Sequence, residues 1–449
     1  MNVKLEKNPL LSEIMLTPNR ICVIGLGYVG LPTAVVFASK GYEVVGVDVD
    51  TKKVEAVNGG RCYLREPGLD VLLRDAVSKG FLRATGDAVD AVKRCDAVVV
   101  AVPTPVRAGV VDLSFLRGAL EAVREGLHRD QLVVVESTIP PGTTIGFVRP
   151  FLEGSGLRAE EDFFLAHVPE RIAPGRAVEE LVNAPRLVGG VGPRSTEKAL
   201  ELYGRVNSRL LATDATTAEF VKLVENTYRD VNIAFANLLA LMAERLGVDV
   251  YEAVRLANTH PRVNVHLPGA GVGGPCLTKD PYMLASLLPD FWGTELVRLA
   301  RRINEYMPSH VVEIVERALA EEGVGLGGAR VAVLGASYKG GVDDTRESPS
   351  RYIVIGLQDR GARVVVFDPY TSESFGAERA SSLEEAVMGA DVVVIVTDHP
   401  EFRGLDLGRL GGLVRRRIIV DGRRVVEPHV AVEHGYRYYG VGYGRAFKV

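Results

Sequence analysis

The segment GAGVGGPCLTKDP, residues 269–281, sets one cysteine, Cys276, among four glycines, with Lys279 and Asp280 directly behind it. A structural cysteine belongs in a packed, apolar setting; a thiol in so glycine-rich a stretch is expected to be presented to something. As a thiolate it can add to an aldehyde, and hydride loss from the adduct leaves a thioester that water opens to an acid. Lys279, or Lys222 further back, could lower the thiol pKa or stabilise an oxyanion, and Asp280 could hold a base or a water. Such chemistry needs a hydride acceptor.

Residues 20–30, RICVIGLGYVG, supply the place for one. The apolar run Ile21–Ile24 ends in a glycine turn, the helical pattern LPTAVVFASKG comes next, and YEVVGVD is a second strand. Gly25, Gly27 and Gly30 give G-x-G-x-x-G around Tyr28 and Val29. Gly25 permits the tight turn, Gly27 lets the backbone approach a pyrophosphate, and Gly30 lets helix and strand pack closely. The helix start offers free N–H groups and its positive dipole end to phosphate. Asp48 ends the second strand 18 residues after Gly30; a carboxylate there accepts both ribose hydroxyls and repels the extra phosphate of NADP, so NAD is the expected cofactor. Lys53, just beyond, joins the cofactor-binding candidates. The runs DAVVVAVPTP (96–105) and LVVVESTIPPGTT (132–144) place Thr104 and Thr138 beyond strand carboxyl ends, where a nicotinamide half lies. AHVPERIAPG (166–175) comes after them, and RLVGGVG (186–192) reads as the last strand of this sheet.

From about residue 212 neither proline nor glycine occurs until Gly247. Phe220, Leu223, Val224, Tyr228, Val231, Phe235, Leu238, Leu239 and Met242 recur at helical spacing, which predicts one helix of about 30 residues. Such a helix suits a spine between domains or a dimer interface. Lys222 and Asn226 share a face of it, with Arg229 at the next position; by spacing alone that face could equally be a solvated polar stripe. A second α/β segment begins near 329: ARVAVLGASYKG, ARVVVFDPY, DVVVIVTDHPEF and RRIIVDGRRVV. Its GASYKGG loop lacks the full glycine fingerprint, so it should hold a different nucleotide or none. The expected architecture is α/β, two Rossmann-like parallel-sheet domains joined by a long central helix, with a cleft between the sheets. The expected organisation is an extension (1–19), a dinucleotide-binding domain (20–205), a central helical dimerisation domain carrying the cysteine loop (206–310) and a second Rossmann-like domain (311–449).

The totals agree with that reading. The chain has 449 residues, too many for one ordinary core, with 47% hydrophobic and 24% charged residues. A net charge of -4 gives no electrostatic case for nucleic acid or an anionic membrane. The start, MNVKLEKNPLLSEIMLTPNR, lacks the apolar core of a signal peptide, and no apolar run is long enough to span a bilayer. Cys22, Cys62, Cys95 and Cys276 are scattered without metal-ligand spacing, so no metal is expected and a reducing cytoplasm is the simplest home. Cys22 and Cys95 lie in or beside apolar runs and read as core filler.

Several ordered motifs, GLGYVGLP, EPGL (66–69), VPTP, ESTIPPGTT, AEFVKLVENTYRDVNIAFAN, GVGGPCLTKDP and ASYKGGVDDTRESPS, resemble those of the UDP-glucose/GDP-mannose dehydrogenase family over about residues 20–430. The resemblance implies a four-electron oxidation of a nucleotide sugar's C6 alcohol to a carboxylate, with two NAD reduced, by way of aldehyde, thiohemiacetal and thioester. It implies that Cys276 is the nucleophile and that Lys222 stabilises developing oxyanions. Asn226 fixes the C6 oxygen, Asp280 with Thr138 orders a water, and Glu170 in PER assists thioester hydrolysis. Lys279 contacts the cofactor phosphates. On the substrate side it implies Arg171, Gly273, Lys339 in YKGG, Arg346 in DTRESP, and Arg262 reaching across the interface of a homodimer built on the long helix.

PERIAPG, with arginine after the glutamate and Pro174-Gly175 behind it, resembles the branch acting on N-acetylated UDP-hexosamines. Pro275, where that branch has histidine, and the TKD at 278–280 depart from it. UDP-N-acetylmannosamine is therefore the favoured substrate, with UDP-N-acetylglucosamine, UDP-glucose and UDP-galactose as alternatives. A non-catalytic nucleotide-sugar sensor is the reading from another class; it has no need of Cys276, Lys222, Asn226 and Asp280 together.

Overall fold

Strands buried on both faces need unbroken apolar runs, and the chain supplies them twice. The computed structural model describes residues 19–107 and 109–447, so residues 1–18 of the expected extension lie outside it. Strands β1 (Arg20–Ile24), β2 (Glu43–Val47), β3 (Leu82–Thr85), β4 (Ala97–Val100), β5 (Leu132–Val135), β6 (Phe164–His167), β7 (Arg186–Gly190) and β8 (Leu210–Asp214) form one sheet. Their order is β8-β7-β6-β5-β4-β1-β2-β3. Ile24 pairs with both Val47 and Val100, so three strands end level, where ligands meet such a sheet. One face packs Leu31, Phe37, Tyr42, Leu69 and Tyr203; the other packs Cys22, Cys95, Leu116, Leu120 and Phe163. Both expected filler cysteines are fully buried.

Two features depart from the sequence reading. β7 runs antiparallel to β6, while the other pairings of this sheet are parallel. Residues 186–192 are not the last strand, because β8 lies beyond them on the edge. β8 is mostly exposed, and its apolar run is only Leu210–Ala212, too short to announce a strand.

The second sheet comprises β9 (Arg330–Leu334), β10 (Arg363–Phe367), β11 (Glu378–Arg379), β12 (Val392–Ile395), β13 (Ile418–Asp421) and β14 (Arg437–Gly440). It is parallel, in the order β11-β10-β9-β12-β13-β14. Its core includes Val311, Val315, Ile353, Val354 and Leu357.

The long helix Ala215–Leu246 has 32 residues. By packing, the chain forms two compact units that part within this helix. The first takes in residues up to Pro105 and Val111–Lys222, and the second Val106–Val110 and the chain from Leu223 onward. The helix is amphipathic in an inverted sense. Lys222, Asn226, Asp230 and Asn237 are buried, whereas Phe220, Val224, Tyr228, Phe235, Leu238 and Met242 are exposed. At 3.6 residues per turn the two sets fall on opposite sides. The solvated polar stripe that spacing alone allowed is therefore excluded.

Candidate functional site

In the first unit the glycine turn is set by close approach. Gly25 adopts φ +95°, and a Cβ there would sit 2.5 Å from the Ala101 carbonyl oxygen. A Cβ on Gly30 would lie 1.7 Å from the Gly25 carbonyl oxygen, so the helix Gly30–Ser39 can start where it does only without a side chain. A Cβ on Gly27 would meet nothing within 4 Å: the space above it is open, as an approaching pyrophosphate requires. Asp48 Oδ2 accepts from the Leu26 N–H at 2.9 Å and Oδ1 from the Asp50 N–H at 2.9 Å. Lys53 Nζ lies 3.1 Å from Oδ2. Burial pushes the Asp48 carboxyl up, but these N–H groups and Lys53 outweigh it and hold it below the usual carboxylate range. The loop, the helix start and the ionised acid together fit a dinucleotide.

Thr104 Oγ1 donates to the Thr138 carbonyl at 2.6 Å, tying the ends of β4 and β5 together. Tyr63, which sequence reasoning passed over, donates its hydroxyl to the Leu26 carbonyl at 2.5 Å and props the glycine loop. Glu66 of EPGL accepts from the Gly175 and Ala177 N–H groups at 2.8 and 3.2 Å, so that motif holds the PERIAPG segment. Arg171 donates to the Pro185 carbonyl at 2.7 Å.

Lys222 Nζ donates to Glu170 Oε1 at 2.8 Å and to the Glu170 carbonyl at 2.7 Å. Both side chains are buried. Burial raises the Glu170 carboxyl, but the Lys222 ammonium and the Ile172 N–H more than offset it and keep it ionised. One turn before Lys222, Glu219 accepts from the Gly142 N–H (2.6 Å), the Thr144 N–H (2.7 Å) and Thr144 Oγ1 (2.5 Å). The start of the long helix thus grips both loops that carry predicted catalytic residues of this unit, Thr138 and Glu170. No spacing rule singled out Glu219.

In the second unit the glycines of the cysteine loop serve close packing. A Cβ on Gly273 would lie 2.7 Å from Tyr338 Cβ, and one on Gly274 2.8 Å from the Tyr338 ring. Gly271, at φ +130°, packs on Pro308 and Pro349. The glycines remove side chains so that the loop can lie flat on its neighbours. Cys276 is half-buried and in no disulfide. Its carbonyl accepts from the Lys279 and Asp280 N–H groups at 3.1 and 2.9 Å, turning the chain into the short helix Asp280–Ala285.

Asp280 is fully buried. Its Oδ2 accepts from Asn226 Nδ2 at 2.6 Å, and Lys279 Nζ lies 3.0 Å from Oδ1. Asn226 Oδ1 in turn accepts from Arg229. Asn226 and Asp280, predicted separately, are therefore in direct contact. Arg346 makes a paired hydrogen bond to Asp344 (2.8 and 2.6 Å), and its carbonyl accepts from the Gly274 N–H at 3.1 Å. The motif DTRESP thus buttresses the cysteine loop. Lys339 lies in the loop after β9, and Arg262 is exposed.

Family models of the UDP-glucose/GDP-mannose dehydrogenase family match the chain in three parts: the NAD binding domain at residues 19–207, the central domain at 216–306 and the UDP binding domain at 332–428. The chain is 46% identical to a UDP-N-acetyl-D-mannosamine dehydrogenase of Pyrococcus horikoshii, over 95% of this chain and 99% of that one. It is 42% identical to an NDP-N-acetyl-D-galactosaminuronic acid dehydrogenase of Ralstonia nicotianae, over 90% and 95% of the two chains. The solved structure of a UDP-D-ManNAc dehydrogenase from Pyrococcus horikoshii superposes with a TM-score of 0.89 at 45% identity, over 95% of this chain and all of that one. Among the described residues, no helix is long and apolar enough to cross a membrane.

Proposed function

The chain belongs to the UDP-glucose/GDP-mannose dehydrogenase family, NAD-dependent oxidoreductases acting on nucleotide sugars, and from that premise we propose that it oxidises the C6 alcohol of UDP-N-acetylmannosamine to the carboxylate through a thioester on Cys276. The observation that carries the reading is the Asn226–Asp280 contact. It ties the cysteine loop to the helix that bears Lys222 one turn earlier. The choice of sugar rests on the PERIAPG segment and on the 46% identical relative.

NAD, when bound, accepts the hydride in each of the two oxidations. The chain's own residues do the rest. The C6 hydroxyl passes its proton to the water ordered by Asp280 and Thr138, and Lys222, charged and anchored by Glu170, stabilises the alkoxide so formed and later the oxyanion of the adduct. Asn226 donates to the same oxygen and fixes the carbon it belongs to. The Cys276 thiolate forms a C–S bond to the aldehyde carbon, and the carbonyl oxygen takes up the proton to give a thiohemiacetal. Loss of hydride, with the hydroxyl proton passing to the water ordered by Asp280 and Thr138, leaves the thioester. A water ordered by Asp280 and Thr138 breaks the C–S bond, returns the thiol and yields the acid, with the ionised Glu170 receiving a proton.

The second unit holds the uridine diphosphate, with Lys339, Gly273 and Arg346 around it and Arg171 toward the sugar. A homodimer is part of the same proposal, because the exposed apolar stripe of the long helix calls for a partner face and a second copy carries the complementary one. Arg262 would reach the neighbour's nucleotide, and light scattering at two concentrations tests the assembly.

The deciding experiment is absorbance at 340 nm with NAD and a panel of UDP-sugars. UDP-N-acetylmannosamine should give two NADH per sugar and a product mass carrying one new carboxylate. The Cys276→Ser variant should stall before the acid. A serine variant that yields acid at the native rate, or a faster rate with another sugar, overturns the mechanism or the substrate respectively.

A further inference from the structure

The family reading uses Lys222 and Asn226 of the buried polar stripe and leaves Asp230 and Asn237 without a task. Both are fully buried. Asp230 Oδ1 accepts from Arg301 Nη1 at 2.7 Å and from Asn304 Nδ2 at 2.7 Å. Arg301 is 2% exposed, the largest of the fully buried side chains. It sits on the helix Glu295–Ala320, together with Asn304. Asn304 Oδ1 accepts from Asn237 Nδ2 at 2.9 Å, and Asn237 Oδ1 accepts from the Gly269 N–H at 2.9 Å. Arg301 Nη1 also donates to the carbonyl of Leu277 at 3.2 Å. Its Nη2 reaches Glu305 Oε1 at 3.1 Å, and that carboxylate accepts from Tyr282 Oη at 2.9 Å.

A buried ion pair adds little stability that a well-packed apolar pair would not, because desolvation consumes most of the attraction. What an apolar pair cannot do is hold backbone polar groups of the cysteine loop. This network holds two: the Gly269 N–H at the start of the loop, and the Leu277 carbonyl directly after the thiol. With the Asn226–Asp280 bond, Asn237 and Asn226 of the long helix hold residues 269 and 280 directly and Asp230 holds residue 277 through Arg301, with Cys276 between 269 and 277.

We infer that Asp230 and Arg301, backed by Asn237 and Asn304, are positioning residues that fix the height of Cys276 relative to Asn226 on the long helix. This rests on the nucleophilic role of Cys276. It predicts a selective fault. Oxidation of the alcohol to the aldehyde does not use the thiol, whereas every later step does. Loosening the network should therefore uncouple the two halves of the reaction.

The test is Arg301→Lys, which keeps the charge but loses the planar fork. Acid formation should fall about 100-fold, the penalty of a misplacement near one ångström, with the KM for the sugar within about threefold. NADH per sugar should drop from two toward one, and semicarbazide should trap the C6 aldehyde. A purely structural role would instead lower both halves together, with two NADH per sugar retained. Glu305→Gln, at a partly exposed position, is the milder companion should the lysine variant not fold, with about a threefold loss of acid formation and the same trapped aldehyde expected. Two NADH per sugar and no trapped aldehyde in the folded variants overturn the inference. Cys276→Ser run alongside separates the two claims: if it too forms acid at the native rate, the nucleophile is wrong; if it stalls while the network variants do not, only the positioning role is.

Discussion

The two sheets open with the same frame. Gly25 and Gly335 take φ +95° and +99°, and each donates its N–H to the last residue of the neighbouring strand, Val47 or Phe367, at 2.8 Å. Asp48 and Asp368 then end those strands in matching ways. Each accepts from the N–H just after its glycine, Leu26 (2.9 Å) or Ala336 (2.7 Å), and from the N–H two residues on, Asp50 (2.9 Å) or Tyr370 (2.8 Å). Past the acids the sheets diverge. The first helix begins at Gly30, whereas the second waits until Pro349. Asp48 faces Lys53 and keeps 8% of its side chain accessible; Asp368 keeps 0%, sealed by His399 Nε2 at 2.9 Å and Ser337 Oγ at 3.1 Å. One strand-turn-acid frame therefore serves two ends. An open acid can meet ribose hydroxyls, and a sealed one holds its own loop, leaving the inserted segment 336–348 for the proposed nucleotide contacts.

The comparison breaks most visibly at the sealed acid. Asp368→Asn should cost about 3 kcal/mol in urea unfolding, since it disturbs a fully buried bonded carboxylate, while NAD affinity stays within about twofold. Its pH dependence has a definite sign. Burial raises the carboxyl, but His399 and the Ala336 and Ser337 N–H groups bring it down to about 2. The folded value lies below the ordinary one, so the contribution is complete above an ordinary carboxylate pKa near 3.9 and is lost as pH falls through about 2. The stability gap between wild type and variant should stay flat from neutral pH to about pH 5 and close toward pH 2. A gap that closes at pH 6 would mean the acid is not held this way.

How far the sequence disclosed this division depended on what kind of signal each part leaves. β1, β2, β4, β5 and the central strands of the second sheet are short apolar runs rich in valine and isoleucine, because both faces are covered. The edge strands β8 and β11 leave no such trace, being exposed. The fingerprint glycines and Asp48 lie in a motif whose spacing is itself the chemistry, whereas Lys222, Asn226, Cys276 and Asp280 stand out by their place in motifs that resemble the family's. Glu219, Asp230 and Asn237 lie inside the motif AEFVKLVENTYRDVNIAFAN and Arg301 lies outside every quoted motif, yet no spacing rule marks any of the four. Glu219, Asn237 and Arg301 hold backbone groups far away in sequence, Asp230 holds the Arg301 and Asn304 side chains, and a buried ion pair is indistinguishable by spacing from a surface one. Close packing and mobility both call for glycine, and in the cysteine loop only neighbours such as Tyr338 and Pro308 separate the two.

The open end of the frame should respond more in binding than in stability. Gly27→Val adds a side chain where nothing lies within 4 Å, so unfolding of the apoprotein should shift by less than about 0.5 kcal/mol. The Kd for NAD, read by calorimetry, should rise about 100-fold, because the branched side chain fills the space the pyrophosphate needs. Unfolding of the variant would show that the space is structural. Asp48→Asn should raise the same Kd about tenfold and narrow the preference for NAD over NADP, by removing an ionised acceptor. Like Asp368→Asn it should lower the urea midpoint, but by less, because the Asp48 side chain is less enclosed.

The smallest expected effect lies at Lys53. Its ammonium is one-third exposed and reaches Asp48 Oδ2 at 3.1 Å. A partly solvated pair of this kind contributes less than about 1 kcal/mol, and Asp48 keeps its two backbone N–H partners without it. Lys53→Ala should therefore raise the Kd for NAD less than about threefold, and roughly 0.5 M salt should erase most of the difference by screening. A tenfold loss that survives salt would require Lys53 to touch the cofactor itself. The open acid would then share its role with a cation, and the two sheets would differ in what binds beside the carboxylate rather than in whether it is sealed.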